Sequence, residues 1–150
     1  MHFDPWSLVV ALHLICAVVW VGGMGFALFV LRPSLAVIAP PERMLLHNQV
    51  FRRFFLMIWH AMPLLILSGI ALMVARFQGG ALAPWPVQAM ATIGIVMALV
   101  FLWIFFGPWK RFRQTTDRAR AGAMVDKIRK LVLVNFVLGL VALVLGGMLS

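Results

Sequence analysis

Residues 8–32 read LVVALHLICAVVWVGGMGFALFVLR, a run with no charge before Arg32. A hydrocarbon core of about 30 Å takes roughly 20 helical residues at about 1.5 Å each, so this run crosses a bilayer with length to spare. It decides the fold class, because a helix apolar on every side is built for lipid or for deep burial. One imidazole, His13, stands well inside it. At helical spacing His13, Ala17, Trp20, Met24 and Ala27 share one face, with Cys16 and Gly23 beside it. An imidazole, a thiol, an indole and a thioether on one stripe carry more chemistry than lipid contact requires.

Composition points the same way. The 150 residues are 64% hydrophobic and 11% charged, with a mean hydropathy of +1.04, and such a chain has too few polar groups to cover a surface in water. The length makes one compact domain, residues 1–150. A single cysteine excludes an internal disulfide, and no CxxC or Cys/His zinc spacing occurs. The opening MHFDPWS has no basic region and no A-x-A site precedes the long helix, so the first helix is expected to stay in place.

Outward from that helix, the pattern repeats. Asp4 and Pro5 read as an N-cap and first helical residue, with a span over about 7–31 ended by Arg32 and Pro33. A second helix begins near Glu42; its polar first half extends out of the membrane on the cytoplasmic side, and residues 54–75 are the span. Gly79, Gly80, Pro84 and Pro86 make a turn with Trp85 at headgroup level. A third span covers about 87–106, closed by Gly107 and Pro108, and a fourth covers 131–149. The fold class is therefore all-α, a four-helix transmembrane bundle.

Of the 13 Lys and Arg residues, all but Arg76 lie in residues 32–53 or 110–130. The positive-inside rule puts both segments in the cytoplasm and both termini on the periplasmic or extracellular side of a multi-pass inner (plasma) membrane protein. Orientation and contact with anionic lipid account for the net charge of +9, and nucleic acid is not an expected partner.

Polar groups inside the spans are the candidate site. His13 serves either as a hydrogen bond between helices or as a ligand, and intramembrane ionisable groups are functional by default. His60 is the second candidate; Pro63, three residues on, removes the bond to the Trp59 carbonyl and should kink the helix beside it. His47 lies in the polar extension and reads as solvated. Met57 with His60, and His13 with Cys16, form i,i+3 pairs of soft and imidazole donors that suit Cu(I), although methionine is also an ordinary core filler. Asn135, Gly139, Ala142 and Gly146 share a face of the fourth helix, and Gly94 and Ala98 one of the third; both faces are expected to let helices approach closely.

His13, Trp20 seven residues later, Gly22-Gly23 and Arg32-Pro33 resemble the opening helix of the copper resistance protein D (CopD) family, and KIRKLVLVNFVLGLVALVLGG, residues 127–147, is similar to the last helix of its short members. The first helix is also similar to that of HemJ-type protoporphyrinogen oxidases. Those carry a lysine after a tryptophan early in helix 3, where this chain has Trp85 followed by Pro86, Val87, Gln88, Ala89 and Met90. The resemblance implies a four-helix membrane bundle with a b-type haem or a copper site. For haem b, His13 and His60 are the axial candidates, Trp20 lies beside the first, and Arg53 or Arg52 would neutralise propionates in a redox or electron-transfer role. With both spans centred on the midplane, the two imidazoles stand roughly 16 Å apart along the normal. One upright ring between them is then awkward, so a tilted ring, separate sites, or a partner such as Met90 or a second subunit remain open. For copper the alternative role is an uptake permease, with His13, Cys16 and Met24 as stepping ligands and His60, Met57 and Met90 as further donors. A homodimer and a redox partner or quinone complete the expected partners beside the lipid bilayer.

Overall fold

In lipid every backbone polar group must be satisfied internally, and helices do this within each segment. The computed structural model describes residues 2–149, and among them all regular structure is helical. Four long helices, α1 Trp6–Val37, α2 Pro40–Phe77, α3 Trp85–Gln114 and α4 Arg118–Gly147, are each apolar enough to cross a membrane. The start of α1 is tied by Asp4, whose Oδ1 accepts the Trp6 N–H at 3.1 Å. Asp117 caps α4 in the same way, accepting from the Ala119 N–H at 3.0 Å. Between α2 and α3 the chain reverses through Gln78 at φ 51° and Gly79 at φ 109°, the second a conformation that favours glycine.

Two proline positions differ from the sequence expectation. Neither Pro33 nor Pro108 ends its helix; α1 continues to Val37 and α3 to Gln114. At both places the helix widens into one π turn, Ala27–Leu31 and Phe105–Trp109. In the first, the Arg32 N–H bonds back to the Ala27 carbonyl, five residues earlier. A wider turn gives the pyrrolidine ring room that the tighter α ladder denies it. Pro63 likewise lies inside α2, which is helical without interruption from Pro40 to Phe77.

The helices form a ring in which α1 packs most closely on α2, and α3 on α4. Contacts fix their register. A side chain at Gly23 would collide with the Phe54 ring, which sets Gly23 of α1 level with Phe54 of α2. Gly139 of α4 sits against Val21 of α1 and Met97 of α3, where an added Cβ would lie 2.7 Å and 3.3 Å from their side chains. This glycine permits the approach the sequence suggested. Gly94 does not, because a Cβ there would meet nothing within 4 Å. Asn135 is buried and donates from Nδ2 to the Met97 carbonyl at 3.0 Å.

Large rings fill the space between α2 and α3. Phe55 meets Trp109 at 5.3 Å and Trp59 meets Phe105 at 5.2 Å, both edge to face, the geometry aromatic quadrupoles prefer. Outside, Leu14, Ile15, Val18, Leu67, Val74, Leu99, Trp103, Val137 and Val144 stand exposed. So many exposed apolar side chains on four membrane-spanning helices fit the lipid-facing surface of a bundle.

Candidate soft-donor line in the bundle

His13 turns inward onto α2. Its Nδ1 lies 2.9 Å from Ser68 Oγ and 3.0 Å from the Leu65 carbonyl oxygen. The seat exists because the next residue is Gly69, where a Cβ would come within 3.1 Å of His13 Cε1. A carbonyl oxygen only accepts, and Ser68 gives its own proton to Leu65 at 3.0 Å. The arrangement consistent with both bonds places the imidazole proton on Nδ1. Nε2 then keeps its lone pair, the state in which histidine binds a metal, with Leu65 and Ser68 acting as the orienting partners such ligands have.

Below His13 the same face of α1 carries Cys16, Trp20 and Met24, all buried, with Trp20 and Met24 only 1% exposed. Two further thioethers that sequence reasoning passed over, Met62 and Met97, are also buried here. Their signal was periodic: Met62 falls with Phe55 and Ile58 on one face of α2, and that face is the inward one. Register orders the donors. Met62 lies three residues from Leu65 and so level with Cys16, while Met97 lies level with Val21 through Gly139. Met90 packs at Gly146, where an added Cβ would lie 3.4 Å from its Sδ. Counting outward from the Val21–Gly139–Met97 contact, Met90 and His13 rise by about 10 and 12 Å and reach nearly the same depth. His13 with Met90, Cys16 with Met62, then Met97 and Met24, make a descending series.

The other candidates lie elsewhere. His60 is on the exposed side of α2 and its Nδ1 is held by the Leu56 carbonyl at 2.8 Å, one turn back in its own helix. Met57 beside it is 52% exposed. The depth difference between the imidazoles is smaller than the expected figure: His60 falls between the levels of Gly23 and His13, about five residues or ~8 Å inward of His13. The ~16 Å value assumed that both spans are centred alike, and their contacts show that they are not. Depth therefore does not separate the two imidazoles; facing does. Arg52 and Arg53 are exposed on the extension of α2, and Arg52 borders an open depression with Arg113 and Asp117.

Among the described residues no three His, Cys, Asp or Glu side chains converge. The soft donors stand at successive depths of the bundle, and no closed cage of hard or borderline ligands is among them.

No curated protein and no solved structure matches this chain. The family model described as copper resistance protein D matches residues 48–149, a stretch that covers most of α2 with α3 and α4 and includes Met57, His60, Met62, Met90 and Met97, while α1 precedes it. With that match extending over more than half of its length, the chain belongs to the copper resistance protein D (CopD) family.

Proposed function

We propose that this multi-pass membrane protein binds copper(I) within its bundle and conducts it from the side of the termini toward the basic side. One observation carries the reading: His13, Cys16 and Met24 lie on the inward face of α1, the last two buried, with Met62 and Met97 buried at intervening depths. Imidazole, thiol and thioether are the donors that select Cu(I), and weak sites in series let an ion enter and leave. The family's association with copper resistance supports the same cargo. In this reading the bundle sits in the plasma membrane with both termini outside, as the distribution of Lys and Arg favours.

Detergent-purified protein titrated with Cu(I) against a colorimetric chelator tests it. His13→Ala, Cys16→Ser and Met24→Leu should each lower Cu(I) retention, and Met57→Leu, on the exposed side of α2, should not. Equal loss in Met57→Leu and His13→Ala, or no retention by the unaltered protein, would overturn the reading.

A second reading, haem b in an electron-transfer role, is favoured by the bare Nε2 that the Leu65 and Ser68 bonds leave on His13. It places the axial bond on His13, since His60 faces away from the bundle. A Soret band that survives His60→Ala and disappears in His13→Ala would select it, and a colourless preparation would reject it.

A further inference from the structure

At the basic end of the bundle, α1, α2 and α4 enclose a partly open cavity of about 320 Å³ that the soft-donor line does not use. It is divided by chemistry. Phe54, Phe55, Ile128 and Val132 line it as apolar wall, while Arg32, Arg43, His47 and Arg129 line it as basic rim, with Asp126 the one carboxylate. The π turn of α1 supplies further wall through Ala27, Leu28 and Leu31.

The three guanidinium groups are not alike. Arg43 is spent on the chain itself, donating from Nε to the Ile38 carbonyl at 2.6 Å and from Nη2 to that of Ala36 at 3.2 Å. Arg129 donates from Nη2 to Asp126 Oδ1 at 2.7 Å, yet its Nε is buried without any partner. The Arg32 guanidinium makes no hydrogen bond with the described protein groups. Asp126 does not balance them, because its other oxygen is engaged by Lys130 at 3.1 Å. A buried donor left unpaired costs free energy, and guanidinium is the group that best matches an oxyanion.

His47 is half-buried here and stacks on Phe51 at 5.4 Å, not solvated as its sequence neighbours implied. It lies outside the spanning segment of α2, and burial, then the nearby Arg32 charge, hold its pKa below the usual histidine value. Asp126, in the extension of α4 beyond its span, is held below the usual carboxylate value by its hydrogen bonds to Arg129 and Lys130. The rim is therefore net positive at neutral pH, with the imidazole neutral and the carboxylate already ionised.

We propose that the cavity is a binding site for an anionic phospholipid, its phosphate held between Arg32 and the unpaired Nε side of Arg129, its chain against Phe54, Phe55 and Val132. Phosphate supplies the acceptor oxygens that Arg129 Nε and Arg32 lack. The apolar wall distinguishes a lipid from a free ion, since inorganic phosphate would leave that surface uncovered. The position, level with the first basic residues after the spans, is where lipid headgroups lie.

Native mass spectrometry of the full chain, with phosphatidylglycerol and phosphatidylcholine supplied in equal amounts, reads which lipid stays bound. The unaltered protein should retain phosphatidylglycerol preferentially. Arg32→Gln and Arg129→Gln should each reduce that preference about tenfold, the effect of losing a charge-assisted bond to phosphate. Leu28→Trp, which fills the cavity without changing charge, should abolish it. Arg120→Gln, which removes the same charge from an exposed side chain paired only with Asp117, should leave it intact. Size-exclusion profiles confirm folding, and Arg129→Lys, which keeps the charge, covers the case in which Arg129→Gln does not fold and should retain part of the preference. Equal losses in Arg120→Gln and the rim variants would reduce the effect to general surface charge and overturn the site. Retention unaffected by Leu28→Trp, or displacement of the lipid by inorganic phosphate alone, would overturn the lipid assignment.

Discussion

Gly69→Ala tests whether the seat of His13 on α2 sets its behaviour as a ligand, because it moves the ring without removing any donor. The new Cβ would stand 3.1 Å from His13 Cε1 and 3.6 Å from Nδ1. Comfortable carbon contacts begin near 3.5 Å, so the ring must retreat by about 0.4 Å. The direction is away from α2, which lengthens the 2.9 Å and 3.0 Å contacts of Nδ1 to Ser68 and Leu65. Both then pass beyond about 3.2 Å, where such bonds weaken. Losing roughly half of two bonds worth about 1 kcal/mol each gives ~0.5–1 kcal/mol, or about a two- to fivefold weaker copper(I) site. Global stability should change little, since alanine regains about 0.8–1 kcal/mol of helix propensity over glycine. Chelator competition measures the first quantity and thermal aggregation in detergent the second. Undiminished Cu(I) affinity in Gly69→Ala, together with loss in His13→Ala, would refute the claim that the Leu65 and Ser68 bonds orient the imidazole.

Gly139→Ala should destabilise the bundle by about 1–3 kcal/mol, the usual cost of overpacking, because the methyl group meets Val21 at 2.7 Å and a β-branched side chain cannot turn aside. Gly94→Ala, with nothing within 4 Å, is the matched control, and equal melting of the two variants would contradict the α1–α3–α4 contact described above. For orientation, alkaline phosphatase fused after Ser150 should be active and green fluorescent protein fused there dark; the reverse pair would invert the topology.

The spans were legible because composition and length decide them: each is a long apolar run, and lipid leaves the backbone no alternative to a helix. Facing was harder to read. His60 attracted attention through Pro63 and Met57, yet it lies two residues from Ile58 and two from Met62, both buried, and so opposite the inward side of α2. That span is apolar all round, so periodicity alone did not mark which face was inward. In α1 the stripe of His13, Cys16, Trp20 and Met24 was legible because Gly22, Gly23 and the polar donors break the uniformity. The prolines misled for a local reason: Pro33 and Pro108 read as terminators, and a π turn just before Pro33 and another around Pro108 let the helices continue.

The π turn of α1 also joins the two proposed sites. The donor line ends at Met24, and Ala27, three residues on and about 4.5 Å further along α1, is already wall of the basic cavity. A monovalent cation at Met24 stands eight residues, ~12 Å, from the level of Arg32. At an effective dielectric constant of about 20, each guanidinium at that distance opposes it by about 1.4 kcal/mol, and three of them line the cavity. An unfilled rim would therefore repel a cation moving inward along the line. With the Asp126 carboxylate offsetting one guanidinium, the single negative charge of a bound phosphodiester about halves that field at the place where the thioethers end. The proposed anion site and the soft-donor line share no residue and have separate tests, but they are coupled electrostatically through one helix, so an occupied cavity would lower the repulsion on a cation at Met24.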